Sequence, residues 1–426
     1  MMEVRLARSS IILAHNHLGP MRRSLVSGVL AVVLHIAALS AQQVPGWGDE
    51  LPPAPAPPDS LFAIPTVELP VHWPAPPLTQ APSPVRAIYL NAWAFGGRRF
   101  YDLVKLADRT EINAFVVDVK DDTGYLTYRS EVPTAVEIGA NTQLRARDVR
   151  ERLRVMREHG IHPIARIVVA KDPLLASRKA PWSVQHVNGG LWRDRLEFAW
   201  VDAFNDSVWV YAAQLAAEAV RIGFAEVQYD YVRFPDEPER RLASAVFAGR
   251  RAGETKRQGV IRNLRLLRDR TKKLGVPFTI DVFGLTTSAP TDMGIGQMWE
   301  DLVTAADVVL PMVYPSHYFR GYYNLKHPNS EPYTVIRRAM QDALRRSEPL
   351  GKTAEIRPYL QAFTLGQPRY TPSHVREQIR AAEELGITSW VLWNPRSAYD
   401  PGIFRPREPT TNAAAVVAPR PAEGTN

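Results

Sequence analysis

Several short runs of the chain set polar side chains between apolar ones at a period of two. Val117-Asp118-Val119-Lys120, Val227-Gln228-Tyr229-Asp230-Tyr231 and Thr279-Ile280-Asp281-Val282 all follow this rule, and Arg357 and Gln361 share a side of the run Ile356 to Phe363. Successive side chains of a β-strand point to opposite faces, so if the apolar members meet helices, the polar members share the other face. Asp118, Lys120, Asp230 and Asp281 are then expected together at the upper mouth of a barrel, where active sites of such folds are built. Charges in that position are costly without partners. With Lys120, Arg166 and Arg357 nearby, the carboxylates are either one half of compensating ion pairs or acids tuned for chemistry. A lone inward Asp favours the first reading, and two on adjacent strand ends favour the second. Paired carboxylates are what glycoside hydrolysis needs: one ionised to attack or stabilise the anomeric carbon, the other protonated to donate to the leaving oxygen.

Aromatic residues gather near the same strand ends: Trp93, Tyr125, Phe234, Phe283, Tyr314, Tyr318 and Trp393. About half of such a set is ordinary core, and Trp93, Tyr314 and Trp393 are the candidates for stacking on a sugar. The stretch from Lys171 to Asn205 reads as an unusually long loop holding Trp182, Trp192 and Trp200 among glycines, and long loops with exposed aromatics bind or cover something. His317 is open to three readings: a substrate contact, a metal ligand, or a residue that stabilises its own turn. No HExxH or tight His/Asp spacing occurs, so neither a metal nor another cofactor is expected.

The elements that must position these residues alternate. Strand candidates are Arg86 to Trp93, Asn113 to Val119, Pro163 to Val169, Glu226 to Val232, Phe278 to Phe283, Asp307 to Tyr314, Ile356 to Phe363 and Ser389 to Trp393. Between them lie segments with a 3.6-residue apolar period, among them Asp148 to His159, Asp206 to Ile222 and Ser373 to Leu385, each followed by a glycine. Eight strands in strict alternation with helices predict an α/β protein of the (β/α)8 TIM-barrel type rather than an open doubly wound sheet, and no phosphate-binding glycine loop follows the first strand. Prolines and the lack of a helical period after Trp393 predict that the eighth helix is absent, with the N-terminal proline-rich spacer partly covering the gap.

The ends of the chain differ from its middle. Met21-Arg22-Arg23, the apolar run Leu25 to Leu39 and Ser40-Ala41-Gln42 match a signal peptide over residues 1–41, with Met21 as an alternative start of translation. The run is short for a stable membrane span, so an exported protein, periplasmic or extracellular or retained by an uncleaved signal, is expected. Residues 42–84 form a spacer rich in proline, thirteen of them from Pro45 to Pro84; the folded part is expected over 85–403, with a disordered tail over 404–426. The chain has no cysteine, which excludes a disulfide framework and a lipid-attachment cysteine. Of the formal charge of +8, much lies between Arg240 and Lys273, interleaved with apolar residues at helical spacing. That is a solvated helix face, and no nucleic-acid partner is expected.

Six runs together resemble one family: Asn113-Ala-Phe-Val-Val-Asp-Val-Lys-Asp-Asp, Ile164-Ala-Arg-Ile-Val-Val-Ala-Lys-Asp, Gln228-Tyr-Asp-Tyr-Val-Arg-Phe-Pro, Asp281-Val-Phe-Gly, Pro311-Met-Val-Tyr-Pro-Ser-His and Trp390-Val-Leu-Trp-Asn-Pro. They are similar to the bacterial glycoside-hydrolase-like family DUF4015, over about residues 85 to 400, with the run ending in Arg233-Phe234-Pro235 the most specific piece. The resemblance implies a TIM barrel acting on carbohydrate. In related barrel glycosidases acting on α-linked sugars the nucleophile is an Asp at the end of the fourth strand, the place Asp230 occupies; the partner acid stands on the fifth or sixth strand. The sixth ends in Tyr314 and His317 with no carboxylate, which leaves Asp281. Around this pair, Trp93, Asp118, Lys120, Arg166, Arg233, Tyr314, His317, Arg357, Gln361, Trp393 and Asn394 are the expected substrate contacts. The leading expectation is therefore a retaining glycosidase acting on an envelope or extracellular polysaccharide. Alternatives are a barrel that binds glycan without cleaving it, and a metal-dependent hydrolase using Asp118, Asp121 and His317.

Overall fold

The computed structural model describes residues 80–407. The expected signal peptide, nearly all of the spacer and the tail beyond residue 407 lie outside them. Eight parallel strands close into a barrel: β1 (Arg86–Leu90), β2 (Ala114–Lys120), β3 (His162–Val168), β4 (Glu226–Asp230), β5 (Phe278–Phe283), β6 (Val308–Met312), β7 (Tyr359–Gln361) and β8 (Trp390–Trp393). Closure comes from β8 pairing with β1 and from the Tyr359 to Met312 register that joins β7 to β6. All eight expected strands are present, most of them shorter than expected.

Helices alternate with the strands: α1 (Arg99–Ala107), α2 (Val149–Glu158), α3 (Asp206–Ile222), α4 (Lys256–Lys272), α5 (Trp299–Ala305), α6 (Pro332–Ser347) and α7 (Pro372–Glu383). Local chemistry fixes their ends. The Asn205 side chain accepts from Ser207 N to start α3, and Thr255 with Gln258 forms a capping box at α4. Gly223, at φ 122°, ends α3 in a backbone conformation that a side chain would strain. The apolar stripes of these helices pack on the outward residues of the strands, forming one continuous outer core.

No α-helix follows β8 among the described residues. Residues 394–407 run along that gap and descend the outside of the barrel; the cover expected from the spacer lies outside the described residues. Near the mouth Tyr399 Oη donates to Tyr89 O (2.8 Å), and Ile403 and Phe404 are buried below. At the floor Arg405 pairs with Glu111 and Glu383, and Thr110 bridges to Pro406.

The lumen is filled in layers. Inward residues Ala87, Ala114, Val116, Ile164, Val308, Leu310 and Val391 form a dry apolar layer. Beneath it Arg357 Nη1 donates to Glu226 Oε1 (2.7 Å), and His162 Nε2 is 3.5 Å from Glu226 Oε2. Arg357 is thus a floor residue, contrary to the expectation that it stands at the mouth. It precedes β7, at the level of the first residue of β4, and the apolar layer separates it from the upper carboxylates.

The long connection after β3 also differs from expectation. Trp192 and Trp200 are 1% and 4% exposed, packed with Val184, Val201 and Phe204 into the outer core, and Trp200 Nε1 donates to Asp194 Oδ2 (2.8 Å). A two-stranded ribbon, Gln185–His186 with Ala245–Val246, ties this loop to the one after β4. Trp192 and Trp200 hold the loop together rather than stand exposed, and Trp182 is half-buried against the same core.

Candidate active site

Above the apolar layer the inward face of β2, β3, β4 and β5 supplies Asp118, Arg166, Gln228 with Asp230, and Asp281. Registers Asp118 to Arg166 and Arg166 to Gln228 put neighbouring strands' side chains at one height. Arg166 is the hub. Its Nη1 donates to Asp118 Oδ1 (2.5 Å), its Nη2 and Nε both donate to Asp230 Oδ2 (3.1 Å for Nε), and its Nε lies 3.7 Å from Asp281 Oδ2. Since Asp230 Oδ2 and Asp281 Oδ2 approach the same nitrogen, they can be no more than 6.8 Å apart, the sum of those two distances.

One guanidinium serves three buried carboxylates, so not all three can remain ionised at low cost. Burial, and then the neighbouring Asp230, push the Asp281 carboxyl well above its ordinary range, against the opposing pull of Arg166 and of the Gln228 amide. Burial likewise pushes Asp118 up to about 6, although Arg166 and the Tyr89 hydroxyl favour its ionised form. The partners of these two acids differ. Both oxygens of Asp118 are engaged, one by Arg166 and one by Tyr89 Oη. Asp281 accepts from Gln228 Nε2 at Oδ2 (2.8 Å), while its Oδ1 is buried with no partner. A protonated Asp281 therefore has a donor with nothing among the described residues to receive it.

Asp230 ends β4 at a backbone break. Tyr231, the next residue, has φ 53°, a sparsely populated conformation for a residue with a Cβ, and its N–H donates to Asp230 Oδ1 (2.5 Å). Strain of this kind is held where the surroundings over-determine the backbone, and here the Tyr231 N–H fixes one oxygen of the carboxylate while Arg166 holds the other.

Other expected contacts sort into three groups. Trp393 lies in the site, stacked on Tyr89 (3.7 Å between centroids), edge-on to Tyr359 and 5.1 Å from the Arg166 guanidinium; Tyr314 is buried beside Phe363 with its hydroxyl unpartnered. At the rim, Trp93 is 69% exposed with the Arg145 guanidinium 3.7 Å over its ring, Arg233 sits among Trp200, Tyr231 and Phe283, and exposed His317 is edge-on to Tyr314 (5.3 Å). The third group braces the structure. Gln361 accepts from Ser316 N (3.0 Å) and donates to Phe363 O (3.0 Å), and Asn394 donates to Ala362 O (2.6 Å) while accepting from Arg396 N. Their amides tie loops to strand ends.

Lys120 is not in the site. A bulge between Asp118 and Lys120 shifts the register so that Lys120 pairs with the outward Ile167. Its Nζ donates to Asp172 (2.5 Å) in a fully buried ion pair behind the strand, 5.6 Å from the Tyr211 ring. Arg357, as described, belongs to the floor. The set Asp118, Asp121 and His317 is not assembled either: among the described residues no group of three or more His, Asp or Glu side chains could hold a metal ion, and the Arg166 guanidinium is already bonded to Asp118. Tyr89, Gln228 and Tyr359 were not singled out from the sequence although they line the site. The signal was present for all three, since Ala87/Tyr89, Gln228/Asp230 and Arg357/Tyr359/Gln361 each recur at period two.

The family model that matches, over residues 87–399, is DUF4015, described as "Putative glycosyl hydrolase domain". Among solved structures, a hypothetical protein from Ruminiclostridium thermocellum is 40% identical over 43% of this chain and 92% of its own, with a TM-score of 0.39. The glycoside hydrolase domain of PgaB (BpsB) from Bordetella bronchiseptica matches 74% of this chain and 95% of its own at 13% identity and a TM-score of 0.53, a likeness of fold. An α-galactosidase from Thermus thermophilus covers 76% of this chain and 60% of its own, at 15% identity and a TM-score of 0.43. No curated protein matches. No helix among the described residues is long and apolar enough to cross a membrane.

Proposed function

The chain belongs to the DUF4015 family of glycosyl hydrolase domains, and on that premise we propose that it cleaves an envelope or extracellular polysaccharide by a retaining mechanism with Asp230 as nucleophile and Asp281 as acid/base. The observation that carries this reading is the unequal surroundings of two neighbouring carboxyls. Burial and the nearby Asp230 push the Asp281 carboxyl well above its ordinary range, with Oδ1 lacking a partner among the described residues, while Asp230 is bonded by Arg166 and by Tyr231 N. An Asp230 oxygen attacks the anomeric carbon as the bond to the leaving oxygen breaks, and Asp281 gives that oxygen its proton. Water then attacks the glycosyl ester, Asp281 takes the water's proton, and Asp230 leaves as carboxylate. The 6.8 Å ceiling accommodates the roughly 5 to 5.5 Å spacing of retaining enzymes. Export rests on the basic, apolar and small-residue order of residues 21–42.

One observation favours glycan binding without turnover: Asp230 and Asp281 are 3% and 1% exposed, so a mouth side chain must move before a sugar reaches them. One experiment separates the two readings. A labelled glycan library is incubated with wild type and Asp230→Asn, and the anomeric form of any product is followed by NMR. Release of reducing ends by wild type with retained configuration, and at least about 1,000-fold less by a folded Asp230→Asn, is expected from loss of the nucleophile. Equal release by both refutes the nucleophile; binding without release by either leaves the glycan-binding barrel.

A further inference from the structure

Three cations near the mouth bear on what the site receives. Arg166 is bonded to carboxylates, and Lys171 donates to Asp122 (2.7 Å). Arg233, three residues after Asp230 at the barrel mouth, has no carboxylate within 4 Å among the described residues. It is half-buried, and its one protein acceptor is the backbone oxygen of Phe234 (3.0 Å from Nη1). Three rings seat it: Tyr231 at 4.9 Å, Trp200 at 5.5 Å and Phe283 at 5.7 Å. Tyr231 directly follows Asp230 and Phe283 lies two residues after Asp281, so the guanidinium stands over the gap between the two strand ends.

An aromatic seat fixes a guanidinium without neutralising it. A planar fork so held, with its other donors lacking protein acceptors, fits the two oxygens of a carboxylate or phosphate better than the hydroxyls of a neutral sugar. The connection after β2 repeats the pattern. Arg145 lies over the exposed Trp93 ring, and its one side-chain acceptor is the Gln143 amide (3.0 Å). Two guanidiniums without a carboxylate partner among the described residues thus lie on aromatic rings, one on the connection after β2 and one on the connection after β4, the strands that carry Asp118 and Asp230.

We propose that the glycan is anionic, carrying carboxylate or phosphate groups on its repeating units, and that Arg233 binds one such group next to the scissile bond. This rests on the glycosidase reading of the site for its position, but not for its test. The full-length Asp230→Asn variant, which suppresses turnover, is titrated by tryptophan fluorescence, Trp200 lying under Arg233. The probes are polygalacturonate and alginate for carboxylate, a poly(glycerol phosphate) polymer for phosphate, and carboxyl-reduced polygalacturonate as the neutral control. Saturable binding to a carboxylate or a phosphate probe is expected, and which arm binds names the group. Adding Arg233→Gln should weaken that binding about 10- to 100-fold, the range for hydrogen bonds between charged groups. Arg233→Lys should fall between, since it keeps the charge and loses the fork. Roughly 1 M salt should weaken binding as well.

Equal binding of the neutral control, no loss with Arg233→Gln, or no binding of any anionic probe overturns the proposal. If circular dichroism shows Arg233→Gln unfolded, Arg233→Lys and the salt dependence decide in the same way. Failure of the two readings looks different. Arg233-dependent binding of a polyanion by a protein whose wild type cleaves nothing leaves this proposal standing and removes the glycosidase. Cleavage of neutral and anionic glycans alike, indifferent to Arg233, does the reverse.

Discussion

Replacing Asp118 with Asn tests whether the carboxylate cluster is as crowded as its geometry implies. Asp118 is raised from an ordinary 3.8 to about 6 in the folded protein. A carboxyl whose folded value lies above its unfolded one binds protons more tightly when folded. Stability is therefore lost as pH rises from about 4 to about 6, and the deficit stays constant above that. At about 1.36 kcal/mol per unit, the displacement of roughly two units corresponds to about 3 kcal/mol at neutral pH. Asn is nearly isosteric; its oxygen can still accept from Arg166 Nη1 and its amide can meet the Tyr89 hydroxyl, while the titration disappears. Removing this charge also eases Asp281, which Asp118 helps to raise, so the two effects share a sign. The assay is urea denaturation of wild type and variant at pH 4 and pH 7. The variant's stability relative to wild type should improve by about 2.5 kcal/mol between the two pH values, since a small part of the loss already lies below pH 4, whatever its offset at pH 4. A difference that does not change with pH, or changes in the opposite direction, refutes the reasoning that Asp118 is held against its own charge.

Two further outcomes follow from the site and its surroundings. If Asp281 is the acid, activity should fall as pH rises through its elevated value, so that the alkaline limb of the pH profile of kcat/KM lies well above the ordinary carboxylate range; a limb that survives unchanged in a still-active Asp281→Asn assigns the proton elsewhere. Lys120→Met leaves Asp172 buried without its cation and should destabilise the fold by about 3 to 5 kcal/mol, with the double variant Lys120→Met/Asp172→Asn recovering much of the loss in a denaturation cycle; additive losses would show that the pair does not couple.

The barrel was legible because its signals are local. Apolar runs and the glycines at 160, 223 and 386 recur at strand and helix spacings, and each of these glycines has positive φ where a helix ends. Period-two reading also brought Asp118, Asp230 and Asp281 to one face correctly, since each strand keeps its alternation as far as these residues. It failed at Lys120, because a bulge inserts a residue without altering the alternation of residue types, and the next side chain reverses face. It failed at Arg357 for another reason. Alternation gives the face of a strand but not the height, which depends on how far neighbouring strands are staggered around the barrel. Trp192 and Trp200 misled because a loop long enough to fold on itself buries its own aromatics. The role of Arg166 as hub depends on side chains from β2, β4 and β5 converging on one from β3, a relation among distant residues that no single window of sequence contains.

The segment that stands in for an eighth helix decides where the chain enters and leaves. It starts beside the mouth at Asn394 and reaches the floor at Arg405, where Arg407 N bonds to Arg109 O. The incoming chain is on that floor too: Ala81, Pro82 and Ser83 wall a cavity of about 640 Å³ together with Glu226 and Arg357. With an eighth helix in place, the outgoing chain would still end below, but by a separate path packed on the strands. With the strap, both crossings into the barrel are made on one face, opposite the carboxylates. Whatever is joined at residue 80 or at residue 407 is therefore joined to the underside of the barrel, at the end away from the carboxylates.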